Sequence, residues 1–142
     1  MVDTGYASFS TTVDKANHIL AQIEDAYGWP KERRGQSYAA LRSVLHALRD
    51  RMTVEQSAHF AAQLPMVIRG MFYEGWEPSH VPQKMSGDEF RQRVREGFSY
   101  NVVGGTDPLV KNVLHALRHY VGDGEWSNIT TTMPKELASI LG

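Results

Sequence analysis

One hexapeptide occurs twice in the chain. Val44-Leu45-His46-Ala47-Leu48-Arg49 returns as Val113-Leu114-His115-Ala116-Leu117-Arg118, so position 46 maps onto 115 at an offset of 69 residues. The same offset carries Pro65 onto Pro134 with no gap. It also pairs apolar residues on both sides of the hexapeptide: Leu41 with Val110, Met52 with Val121, Phe60 with Ile129, Leu64 with Met133, Ile68 with Leu137 and Met71 with Ile140. Upstream, Ile19, Leu20 and Ile23 are answered by Phe90 and Val94 after a shift of about two residues. The expectation is a tandem duplication, with copies at 12–73 and 87–141 and a connector at 74–86. A copy of that size buries too little surface to stand alone. The two are therefore expected to share one core, related by a pseudo-two-fold, as a single domain over 1–142.

The apolar residues recur at helical spacing throughout, so the expected fold is all-α, with roughly four helices per copy. Val13, Ala16, Ile19, Leu20, Ile23 and Tyr27 form one stripe, which Thr11 or Thr12 would cap and which Gly28 and Pro30 would stop. Leu41, Val44, Leu45, Leu48 and Met52 form a second, with Ser37 as its expected cap. Thr53 with Gln56, and Ser86 with Glu89, read as capping boxes. Pro65 suits the first turn of a short fourth helix. In the second copy, Asp107 before Pro108 and then Asp123 are expected caps. Gly75, Pro78 and Pro82 mark the connector.

Several classes of function are excluded by composition. Fifteen Lys and Arg face sixteen Asp and Glu, a balance unsuited to a chain that works mainly by gripping nucleic acid or an anionic membrane. The absence of cysteine rules out disulfides, thiolate metal sites and a cysteine nucleophile. No stretch is apolar for the ~18 residues that a membrane helix requires, and the first residues lack the pattern of a signal peptide. A cytoplasmic protein is expected.

The duplicated helix carries the best candidate for chemistry. At ~100° per residue, His46 lies about 140° around from Leu41, off the apolar stripe. One turn later on that side stand Asp50 in the first copy and His119 in the second. Were a two-fold to bring the helices together, His46, Asp50, His115 and His119 would offer three nitrogens and an oxygen to zinc or another divalent transition metal. No HExxH pattern accompanies them, and Arg49 and Arg118 stand alongside. The plain alternative is a solvated face with an ordinary His46–Asp50 contact. His59, answered by Asn128, reads as a polar boundary position, and His18 and His80 as surface residues.

The second candidate is the aromatic joint of Phe72, Tyr73 and Trp76, with Arg69 beside it and Trp29 on the earlier turn; Phe72 reads as a core ring. Such rings either pin the copies together or receive a partner. A third is basic: Arg33 and Arg34, and the alternating Arg91, Arg93 and Arg95, which share no single face and are bracketed by Asp88, Glu89 and Glu96.

The string LRSVLHALRDRMTVEQSAHFAAQLPMVIRGMFYEGWEP, residues 41–78, resembles a bacterial family catalogued as domain of unknown function 2267. The stretches ALRHYVGDGEW and MPKELASIL resemble the C-terminal half of that family. The resemblance implies a small helical bacterial protein and brings no activity, cofactor or site residue with it. The leading expectation is thus a non-enzymatic, self-associating helical module for protein–protein interaction, without a cofactor, whose surface is the joint region and the flanking helix faces. The alternatives are the metal-binding protein and, behind it, a regulator that contacts nucleic acid.

Overall fold

The computed structural model describes residues 5–141, and no strand occurs among them. The helices are α1 (Ala7–Tyr27), α2 (Arg34–Arg51), α3 (Val54–Ala62), α4 (Met66–Tyr73), α5 (Gly87–Gly97), α6 (Thr106–Leu117), α7 (Asp123–Thr132) and α8 (Lys135–Ala138). Tighter 3₁₀ turns extend α6 through Arg118–Tyr120 and α8 through Ser139–Leu141. None of the described helices is long and apolar enough to cross a membrane.

Both expected capping boxes form. The Thr53 and Ser86 hydroxyls accept from the Gln56 and Glu89 amides, each at 3.1 Å, and the longer side chains reach back to the cap amides. Gly28 ends α1 in the left-handed conformation (φ 68°), which costs glycine nothing and lets its amide reach the Glu24 carbonyl.

The other expected caps are displaced, because those helices open without a side-chain cap. α1 begins at Ala7; Thr11 bonds back to the Ala7 carbonyl, and buried Thr12 accepts from the Val67 amide of α4 at 2.9 Å. α2 begins at Arg34, which leaves Ser37 inside the helix facing Glu24. Gly105 and Gly122 hold the cap positions of α6 and α7. Asp107 and Asp123 move into the first turns, where a carboxylate still meets the positive end of the helix dipole. Pro65 and Pro134 stand at the cap itself, one residue before α4 and α8.

Buried apolar residues from α1 through the final turn form one continuous core. Positions 69 apart share its depth: Leu41 and Val110, Phe60 and Ile129, and Ile68 and Leu137 are each no more than 1% exposed. Leu64 and Met133 are buried alike, and Met71 and Ile140 are alike in being half-buried. Helix α2 runs through the centre, against α1, α4, α5 and α6. The pairings persist when α1–α4 are exchanged for α5–α8: α1 packs on α2 and α6, α5 on α6 and α2, and α3 on α4 as α7 on α8.

Candidate functional site

The polar face of α2 is a clamp on the end of α4 and the connector. A helix C-terminus leaves carbonyls without amide partners, and side-chain donors from elsewhere satisfy them. His46 Nε2 lies 2.7 Å from the Met71 carbonyl, and one turn along α2 Arg49 donates to the carbonyls of Phe72 (3.0 Å) and Glu74 (2.8 Å). Arg42 holds the Glu74 carboxylate. Asp50 receives Arg49 on one oxygen at 3.0 Å and Arg93 of α5 on the other at 2.8 Å. Its carbonyl accepts the Gln83 amide, and Arg93 also bonds the Gln83 side chain. Arg51 donates to the carbonyls of Met85 and Thr132.

These contacts fix the chemistry of His46. A carbonyl only accepts, so Nε2 carries the hydrogen and is closed to a metal. Burial is the main influence on the ring and pushes its pKa below 6.5; the Arg49 and Arg42 charges add to this, against the Met71 bond and Asp50. At neutral pH the ring is therefore uncharged.

The four candidate ligands are not gathered. Among the described residues no group of three or more His, Asp or Glu could hold a metal ion. His115 is exposed, edge-on to Trp126 at 5.6 Å, and Arg118 lies over the same indole at 5.0 Å. His119 packs on Tyr120. The physical reason is local on both sides. Two guanidinium groups take Asp50, and the change to 3₁₀ winding after Leu117 turns His119 off the face of His115.

The expected interaction residues are distributed differently from the sequence reading. Trp29 stacks on Tyr27 (4.7 Å) and Phe98 (6.3 Å), while Tyr73 and Trp76 belong to a separate run, Phe60–Phe72–Tyr73–Trp76. Exposed Arg69 donates to the carbonyls of Ala61, Ala62 and Leu64, so it caps α3. The arginines of α5 are taken up similarly: Arg91 by Asp107 and Asp88, Arg93 by Asp50, and Arg95 by Gln92 and Thr106. Arg34 is held by Glu24.

A surface that the sequence reading missed lies between α1, α2 and α4. It is a groove of about 200 Å³, floored by Leu20, Leu41, Ile68 and Met71. Tyr38 and Val67 line its edge, 45% and 43% exposed, and Met66 beside them is 55% exposed. Sixty-nine residues on, three of the four floor positions stay apolar (Val110, Leu137, Ile140; Leu20 is answered by Glu89), but the three edge residues become Asp107, Lys135 and Glu136. Burial at those three floor positions is thus matched in the second half without an apolar rim. The signal was present in the sequence, in positions where residues 69 apart differ in polarity.

No curated protein matches the chain. A family model described as "Uncharacterized conserved protein (DUF2267)" matches residues 16–140. With nearly the whole chain inside that match, the protein belongs to the DUF2267 family.

Proposed function

We propose that this protein is a non-enzymatic helical interaction module that self-associates through the groove of α1, α2 and α4. The carrying observation is the apolar rim of Tyr38, Met66 and Val67, kept exposed where the corresponding positions are charged. Contiguous exposed apolar surface of this kind marks an interaction site. Phe9 is 53% exposed one turn before Val13 on the stripe of α1 that borders the groove, and it is the ring a second copy would insert. Such a contact is isologous and closes as a dimer. A formal charge of −1 sets no electrostatic barrier against two copies meeting.

The non-enzymatic reading is supported by how the ionisable groups are used. His46, Asp50 and Glu24 each serve a contact that holds the fold. The interchangeable pairings and the shared burial at an offset of 69 support a tandem duplication about a pseudo-two-fold. The apolar rim is then the feature by which one copy diverged.

Sedimentation velocity over a concentration series tests the proposal. The wild type is expected to shift from monomer to dimer. The triple variant Tyr38→Asp/Met66→Lys/Val67→Glu, which imports the residues of the second half, should stay monomeric with its helical content intact. A wild type that stays monomeric throughout, or a variant that dimerises equally well, overturns it.

A further inference from the structure

Helices α3 and α7 run antiparallel across the molecule. The Gly122 amide opening α7 donates to Gln63 at the end of α3, and Arg51, just before α3, donates to Thr132 at the end of α7. Between them lies a polar cleft of about 360 Å³, lined by Thr53, Glu55, Gln56 and His59 from the α3 side and by Glu125 and Asn128 from α7. The cleft has corresponding residues on its two walls: Gln56 and Glu125, and His59 and Asn128, stand 69 apart.

Glu125 is the anomaly. It is 8% exposed, lines the cleft, and its carboxylate has no hydrogen bond or ion pair among the described residues. Every other buried acid has partners: Glu24 has Arg34 and Ser37, and Asp50 has Arg49 and Arg93. Its carboxylate oxygens are not among the fully buried polar atoms without a partner, so they reach solvent through the cleft, where an incoming cation would meet them. No Lys or Arg lines the cleft, so the lining does not supply one.

We infer that this cleft binds a small organic cation bearing an ammonium or guanidinium group, with Glu125 as its principal acceptor. Glu55, at the mouth, and the Asn128 amide oxygen supply further acceptors for a head that carries several N–H donors. Gln56 is held in the capping box and keeps that wall in place. His59 lies 3.9 Å from Glu55, but no third acidic or imidazole group joins them to hold a bare metal ion, whereas the cleft volume is that of a small-molecule site. This site is independent of the apolar groove.

Isothermal titration of the full chain with putrescine and with agmatine tests the inference, with Zn²⁺ alone and Ca²⁺ alone as parallel arms. Saturable one-to-one binding of at least one amine is expected. Glu125→Gln should weaken it by at least about tenfold. That variant carries the residue standing at the corresponding position 56, so it should fold, and circular dichroism checks this. Asn128→Ala should give a smaller loss. Failure of both amines to saturate, equal affinity in Glu125→Gln, or binding confined to a metal ion overturns the inference.

Discussion

Glu24 shows how one buried charge can depend on a single opposite charge. It is 3% exposed, and its carboxylate receives two bonds from Arg34, at 3.0 and 3.1 Å, and one from Ser37 at 2.6 Å. Burial is the largest influence and raises its pKa, but the bonds from Arg34 and Ser37, with the Arg34 and Lys31 charges, together hold it below 4.5. Its stabilising contribution is thus present above pH 4.5 and is lost as pH falls through the lower, folded-state value. Arg34→Ala leaves the buried carboxylate without its cation, with only Ser37 donating to it, and should cost about 3 kcal/mol, read from the urea midpoint at neutral pH.

His46 also loses stability on acidification, but in a higher window. Its folded pKa lies below 6.5, so as pH drops past 6.5 the unfolded chain takes up a proton that the folded chain refuses. Folding stability should therefore fall between about pH 7 and pH 5. His46→Gln, which can still donate to the Met71 carbonyl, should flatten that slope in urea titrations at each pH. The sequence places both residues correctly on α1 and α2. It does not show their partners, because the Met71 carbonyl is 25 residues from His46 and comes alongside only when α4 packs on α2. The spacing that suggested a metal site was real, but His46 and Asp50 are committed to α4 and α5, while His115 and His119 pack on Trp126 and Tyr120.

At the scale of elements, the helices whose ends carry local side-chain chemistry were the legible ones. Thr53 and Ser86 each satisfy orphan amides within three residues. Thr53→Ala and Ser86→Ala should each cost about 1 kcal/mol in chemical denaturation, with the native spectrum retained. Helices α1, α2 and α6 start earlier than expected, at Ala7, Arg34 and Thr106. Their first turns bear few core residues, so periodicity had nothing to register there. Where local caps are lacking, tertiary donors act: Arg69 closes α3, and Arg49 closes α4. No local pattern identifies such a cap, since guanidinium reach and fold decide it together.

For the whole molecule, the helical class and the register of the buried positions could be read from one offset. Leu41, Phe60, Leu64 and Ile68 and their counterparts all reach the core. The outer surfaces could not be read that way, because matched burial constrains the core positions and leaves the exterior free to differ. Tyr38, Met66 and Val67 against Asp107, Lys135 and Glu136 are that divergence, and the proposed dimer rests on it. Two-dimensional amide NMR on progressive dilution of the wild type tests the central claim most directly. A dimer through the groove predicts concentration-dependent shifts confined to the first half of α1 and to the residues around 38 and 66–71. Unchanged spectra at every concentration, or shifts centred on the connector at 74–86, would contradict it.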